Sequence, residues 1–260
     1  MTYDFKSDLP PLERLRAIMA RLRAENGCNW DRAQTHETLV KYLIEETYEV
    51  VECIEAGRLE NLKEELGDLL TQVYFHSQIA DEDNRFTIDD VAETVNEKLL
   101  RRHPHVFGEQ KDLNPQEVRD QWEKIKVDSK EKKSVLAGVP KSMPALNLAF
   151  RVGEKAGGVG FDWEDPRDIF AKFKEEIAEF EKEFDANDKE RMTDELGDLM
   201  YALVNLARKI DIDPEHALRC TVGRFIDRFG YIEETLKKRG QKFADTTLAE
   251  MEELWQEAKK

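Results

Sequence analysis

Cysteine is scarce in this 260-residue chain and poorly arranged for cross-linking. Cys28, Cys53 and Cys220 are odd in number, stand at unrelated spacings and form no CxxC pair, which argues against both a disulfide framework and a zinc cluster. They read as reduced thiols of a cytoplasmic protein. Proline is also rare, at eight residues, and no Asn-Gly or Asp-Gly turn lies between β-branched runs, so an all-β design is excluded. No segment approaches the ~20 consecutive apolar residues that span a bilayer. The opening "MTYDFKSDLPPLERLRAIMARLR" alternates charge with apolar residues and lacks the apolar core of a signal peptide. A soluble protein without a membrane partner is expected.

What is abundant is charge. Charged residues make up 37% of the chain, and 56 acids against 40 bases leave a formal net charge of −16. Such a surface is repelled by bulk nucleic acid and by anionic lipid, so direct nucleic-acid binding is not expected. The length suits one large domain or two of ~130 residues.

Internal similarity decides between these. "EELGDLL" (Glu64 to Leu70) returns as "DELGDLM" (Asp194 to Met200), and "YLIEETYEVVE" (Tyr42 to Glu52) as "KFKEEIAEFEK" (Lys172 to Lys182). "CNWD" and "FDWE" precede these blocks. Glu49 and Glu65 are 16 residues apart, as are Glu179 and Glu195. Further on, "EKLLRRH" matches "GRFIDRF", with basic residues four apart: Lys98 and Arg102, then Arg224 and Arg228. Each half then reaches a tryptophan, Trp122 in "QWEKIK" and Trp255 in "LWQEAK". The chain reads as two copies of one unit, 1–130 and 144–260, joined by a charged, then Gly/Pro-punctuated linker over 131–143.

The apolar period within each copy is helical. At 100° per residue from Glu45, Leu39, Leu43, Val50 and Ile54 fall within roughly 120° to 180°, and Ile169, Phe173, Phe180 and Phe184 occupy the matching arc. The fold class is therefore all-α, with two tandem helical bundles of about four helices each. Glu46 and Glu49 border this stripe, and Glu65 and Asp68 border the stripe of the next helix. Carboxylates converging on a low-dielectric seam repel one another unless cations intervene, and all-oxygen ligation suits Mg²⁺ or Mn²⁺. A lone EExxE in so acidic a chain is usually a solvated helix face; two copies with equal spacing to ExGD favour function. Gly67 and Gly197 weaken helix interiors by ~1 kcal/mol relative to alanine. They point away from the acids, so the expectation is that each admits another helix behind them.

Several metal and phosphate sites are excluded. No histidine has glutamate three residues before it, as di-iron bundles require. A DxDxDG loop is missing, and "GEKAGGVG" (Gly153 to Gly160) fits neither GxxxxGK[ST] nor GxGxxG.

EExxE followed by ExxD resembles the signature of the MazG family of nucleoside triphosphate pyrophosphohydrolases, within the all-α NTP pyrophosphatases. The residues are Glu45, Glu46, Glu49, Glu65 and Asp68 in the first half, and Glu175, Glu176, Glu179, Glu195 and Asp198 in the second. "NWDRAQTHETL" and "RRHPHVFG" extend the likeness. The resemblance implies a homodimeric, Mg²⁺-dependent enzyme that converts NTPs or dNTPs to the monophosphate and pyrophosphate. It implies metal ligands at Glu176, Glu179, Glu195 and Asp198, with Glu46, Glu49, Glu65 and Asp68 as first-half equivalents, and a base-contacting Trp255 with Trp122 its counterpart. The resemblance points to Glu175 and Glu176 as the catalytic carboxylates; spacing leaves open which acid is the general base, with Glu175 a candidate. Arg224 and Arg228, on one helix face, suit a phosphate fork, and Lys98 and Arg102 stand in the matching positions. Lys172, Lys174 and Arg191 lie beside the second-half acids, whereas the first half has Tyr42, Ile44 and Asn61. Most hydrolysis is therefore expected in the second half. The other readings are a narrower dUTP or dCTP pyrophosphatase and a non-catalytic helical adaptor.

Overall fold

The computed structural model describes residues 9–108, 112–114, 117, 118, 121 and 134–259. Among them the chain is helices and turns with no strand, as the apolar period requires. It divides into two compact units that meet at Leu113 and Asn114. The first contains α1 (Pro11–Arg23), α2 (Asn29–Ala33), α3 (His36–Glu55), α4 (Leu59–Glu82), α5 (Ile88–Arg102) and α6 (Pro104–Phe107). The second contains α7 (Ala145–Gly157), α8 (Pro166–Ala186), α9 (Lys189–Lys209), α10 (Pro214–Arg239), a 3₁₀ turn (Phe243–Asp245) and α11 (Leu248–Glu257). Trp122 and the first residues of the expected linker, 131–133, lie outside the described residues.

Helix ends follow from local chemistry. Thr35 and Thr38 exchange hydroxyl and backbone hydrogen bonds at the start of α3, closing a capping box. Asp165, Asp188 and Asp213 accept backbone N–H groups at the starts of α8, α9 and α10. Asn187 ends α8 in the left-handed region, with φ 54°, and the adjacent Asp188 already caps α9. Gly57, with φ 67°, gives the α3–α4 connection its tight turn. Connections this short force each long pair to run antiparallel, and α3–α4 and α8–α9 are the most extensively packed pairs of their units.

The seams of these pairs depart from the helical wheel at one end. On α8 the covered residues are Ile169, Glu176 and Glu183; on α3 they are Leu39 and Cys53, with Glu46 half-buried between them. Phe184 and Ile54, expected on the stripe, are 64% and 55% exposed. Burial thus repeats every seventh residue. On the same wheel Leu39, Glu46 and Cys53 fall at roughly 120°, 100° and 80°, so the covered face is centred about 50° from the arc that the apolar residues alone define, and it drifts by about 20° per heptad as in helices that wind around each other.

The rest of the core anchors the pairs. In the first unit Met19, Leu39, Phe75 and Ile79 pack together, bringing α1 against α3 and α4. In the second, Ile232, Leu236 and Leu254 join α10 to α11, with Met251 and Trp255 against them. Each unit also pins its Trp-bearing segment with a largely buried arginine. Arg23 donates to the carbonyls of Asp31 and Gln34 and pairs with Glu82 at 2.7 Å. Arg208 grips Asp162 with two hydrogen bonds, at 2.5 and 3.1 Å. Gly153 and Gly157 of α7 make room for that grip: a Cβ on Gly153 would stand 2.5 Å from Asn205 Oδ1 and 3.0 Å from Arg208 Nε.

Gly67 and Gly197 behave otherwise. A Cβ built on either meets no described atom within 4 Å, so no described helix of this chain approaches them. The expected close packing is not made among the described residues.

Candidate active site

Antiparallel pairing of α8 with α9 brings their acids together. Carboxylate oxygens of Glu176, Glu179 and Glu195 lie within 4.8 Å of one another. Glu176 and Glu179 share a face at i, i+3, and Glu195, at the end of the second turn of α9, meets them from across the seam. Burial, then Glu179, Glu176 and Asp198, push the Glu195 carboxyl above the ordinary carboxylate range. Asp198 is therefore near enough to act on the group, although it stands outside the tight set of three.

The second unit supplies its own counter-charge. Lys172, one turn before Glu176, contacts it at 2.7 Å and Glu175 at 3.0 Å. Its ammonium is held strongly in the charged state, first by the hydrogen bond to Glu176 and then by that to Glu175. Glu176 is 5% exposed, so this pair is the buried end of the site; Glu175 lies outside it. Lys174 is exposed on α8.

A buried acid missing from the sequence reading completes the row. Glu183 follows Glu176 by two turns on the same seam and contributes to raising Glu195. It receives Lys182 at 3.0 Å and Arg191 at 3.7 Å. The signal that identifies it is the seven-residue register Ile169, Glu176, Glu183.

The remaining expected residues stand on the α10–α11 pair. Arg228 lies over the Trp255 ring, 5.5 Å from its centroid, and Phe225 reaches the same ring at 5.0 Å. Arg224 donates to the Thr221 hydroxyl at 2.9 Å. Phe225 stacks on Phe229, and Phe229 on Phe243, forming a row of partly exposed aromatics. The structure thus joins Arg228 to Trp255 and joins Lys172 and Arg191 to the acids, on two different helix pairs.

The first unit repeats the acids with Tyr42 in place of Lys172, and Arg58 is the cation that acts on Glu65. Oxygens of Glu46, Glu49 and Glu65 lie within 4.8 Å of one another. Burial, then Asp68 and Glu49, raise Glu46; burial, then Glu49, raise Glu65. Tyr42 occupies the place of Lys172 and packs on the core, with Lys41 over its ring at 4.6 Å. Lys98 and Arg102 stand on α5, which packs against α4.

Both triads offer only oxygen donors, half-buried at least in part and gathered on rigid helices. That donor set fits a hard divalent cation and does not fit a soft one.

Comparisons with known proteins agree with the geometry. Residues 34–107 match the family model described as the MazG nucleotide pyrophosphohydrolase domain, and residues 160–220 match that of phosphoribosyl-ATP pyrophosphohydrolase. The nucleoside triphosphate pyrophosphohydrolase/pyrophosphatase MazG of Thermotoga maritima is 45% identical over 249 residues, covering 95% of each chain. The nucleoside triphosphate pyrophosphohydrolase of Escherichia coli K12 is 40% identical over 255 residues, 96% of this chain and 97% of the other. The uncharacterized protein YabN of Bacillus subtilis is 46% identical over 247 residues, 94% of this chain but 50% of its own length. With its tandem helical units and near full-length relatives, the chain belongs to the MazG family and is a nucleoside triphosphate pyrophosphohydrolase, a hydrolase acting on phosphoric anhydrides.

Proposed function

We propose that the enzyme hydrolyses NTPs and dNTPs to the monophosphate and pyrophosphate in a Mg²⁺-dependent reaction, with Mn²⁺ as a substitute, and that the second unit carries most of the activity. The observation that supports this reading is the Glu176, Glu179 and Glu195 triad with Lys172 seated in it, set against a first-unit triad with no such cation. In the second unit Glu176, Glu179, Glu195 and Asp198 would hold Mg²⁺, and Glu46, Glu49, Glu65 and Asp68 are the matching residues of the first. When bound, the divalent ion supplies charge that lets a triphosphate approach the acids and polarises the phosphoryl oxygens. Arg191, Arg224 and Arg228 offer guanidinium donors for phosphate oxygens, and the face of Trp255 offers a stacking surface for the base. Glu175, more exposed than Glu176, would accept a proton from the water that attacks phosphorus. The bond between the α-phosphorus and the oxygen bridging to the β-phosphate breaks, and pyrophosphate leaves.

A homodimer is part of the reading. Leu196, Met200 and Leu203 on α9, and Leu218, Val222 and Phe225 on α10, are 45% to 55% exposed. Their spacing of four and three residues is that of a helix seam, and a second copy offers the same seam in return. The open flank of Gly197 gives a partner helix room on α9. A cytoplasmic location is also part of the reading, supported by the three free cysteines.

The test is release of pyrophosphate from a panel of NTPs and dNTPs, with and without Mg²⁺, with identification of the nucleotide product. Activity with several nucleotides and Mg²⁺ supports the reading. No release at micromolar enzyme sinks it, and release from dUTP or dCTP alone narrows it to those substrates.

A further inference from the structure

Glu183 occupies a position that packing reserves for apolar residues. It stands in the seven-residue register of the α8 seam, and the matching residue of the first unit, seven after Glu46, is Cys53. Cys53 is 4% exposed and Glu183 6%, so the backbone environment is equally closed in both units. A carboxylate there loses hydration and needs a partner to stay charged.

The partner appears in the same unit only. Arg191 of α9 brings NH1 to 3.7 Å from the Glu183 carboxylate, and its first-unit counterpart is Asn61. The two changes therefore come together, Cys53 and Asn61 in one copy, Glu183 and Arg191 in the other. Lys182 also contacts Glu183, at 3.0 Å, but its side chain is 76% exposed and leaves the seam at once. Asp188 lies 4.0 Å from Nε of Arg191 and already accepts the Arg191 backbone N–H as the cap of α9. Of these contacts, only the one to Glu183 links the guanidinium to a group buried along the row that leads to Glu179, Glu176 and Glu195. Arg191 itself is 66% exposed, so most of its donors face outward.

We propose that Glu183 is a positioning residue: it anchors the guanidinium of Arg191 from beneath, so that the outward donors are held ready for the oxygens of a triphosphate. The inference rests on the proposed role of Arg191 in substrate binding. An arginine drawn toward a buried carboxylate by an ion pair loses less freedom when it meets phosphate than one moving freely in solvent. Glu183 does not touch substrate. Its effect passes through Arg191.

The experiment uses the full chain and compares wild type, Glu183→Gln, Arg191→Ala and the double variant. Initial rates of pyrophosphate release give kcat and KM for the nucleotide, and a Mg²⁺ titration gives the half-saturating metal concentration. Losing this 3.7 Å ion pair should raise KM about three- to fivefold in Glu183→Gln, with kcat within about twofold. Arg191→Ala should raise KM at least as much, and the double variant no further than Arg191→Ala alone. An unchanged KM in Glu183→Gln overturns the proposal. So do multiplying effects in the double variant, which would mean that Glu183 acts independently of Arg191. A shifted Mg²⁺ requirement with constant KM also overturns it, because Glu183 would then be a cation ligand. Should Glu183→Gln not fold, Glu183→Met keeps the volume without a buried polar group; failure of that variant as well makes the residue structural and ends the proposal. Absence of activity in the wild type defeats the proposed function itself and the inference with it, whereas normal wild-type activity with a silent Glu183 defeats the inference alone.

Discussion

Replacing Gly67 or Gly197 by alanine should stabilise the protein. Each glycine is interior to a long helix, the ninth residue of α4 and of α9 respectively. At such a position alanine is favoured over glycine by about 0.8–1 kcal/mol, because glycine loses more backbone freedom on folding. Steric cost would cancel this gain at Gly153, where a new Cβ would press on Asn205 and Arg208 at 2.5 and 3.0 Å. At Gly67 and Gly197 the same atom meets no described atom within 4 Å, so the propensity term stands alone. A gain of that size raises the melting temperature of a domain of 150–250 residues by about 2–4 °C. Circular dichroism melts at several protein concentrations measure it, with sedimentation recording the association state at each. Lower melting temperatures for both variants at concentrations where the protein is monomeric would refute the reasoning. A loss confined to Gly197→Ala, and only where the protein self-associates, would locate a partner helix against that flank of α9.

Separate Glu176→Ala and Glu46→Ala variants test the division of labour; the first should lose 10²-fold or more of the pyrophosphate-releasing rate and the second should keep most of it, with the reverse pattern assigning the chemistry to the first unit. Asp162→Ala leaves Arg208 buried without its partner and should cost about 3–5 kcal/mol by chemical denaturation. The hydrogen bond from Arg208 holds the Asp162 carboxyl below the ordinary range, so the folded state binds that proton less readily than the unfolded chain. The stability it contributes is full above the unfolded value of about pH 3.9 and lost as pH falls through the lowered one, a dependence that Asp162→Ala should abolish. In the first unit, His36 and His76 meet Nδ1 to Nδ1 at 2.8 Å with rings nearly parallel. Burial, then the neighbouring His36, lower the His76 pKa, so the first unit should lose stability as pH drops below about 6.5, a change visible in amide-proton NMR and weakened in His76→Gln.

The repeat made the acids legible. One EExxE is ambiguous in a chain with 56 acids, but recurrence at fixed spacing, beside an apolar arc each time, singles out Glu46, Glu49, Glu65 and their counterparts. Helix class was equally plain, because Leu39 and Ile169 begin stripes that only a helix lines up. Glu183 was hidden because the stripe was drawn through apolar residues alone, centred near 150°, whereas Ile169, Glu176 and Glu183 fall at roughly 120°, 100° and 80° from Glu175 and only the first is apolar. The Arg208–Asp162 pair joins positions 46 residues apart, and no local pattern marks it. The glycines misled because low helix propensity indicates only that a side chain is missing, and the reason can lie in a contact with a second copy.

The two units show how one backbone is divided by charge. Both gather three carboxylates within the same distance, so geometry alone does not separate them. The difference lies in what surrounds the acids: Lys172 in the second unit against Tyr42 in the first, and Glu183 with Arg191 against Cys53 with Asn61. A triphosphate brings about four negative charges to a protein that already carries −16. In the first unit α3 places an aromatic ring where α8 places an ammonium group, and Arg58 acts on Glu65 without contacting the triad's Glu46 or Glu49 in any ion pair among the described residues. In the second, Lys172 offsets part of the repulsion before any cation binds, and Arg191 stands at the rim as a further fixed positive charge. Fixed charges lose less entropy than recruited ions when the anion arrives, and they act at every Mg²⁺ concentration. Lys172→Met should therefore make the second unit resemble the first, with activity surviving only at higher Mg²⁺. If the variant keeps the wild-type Mg²⁺ dependence, the charge asymmetry between the halves is not what separates their functions.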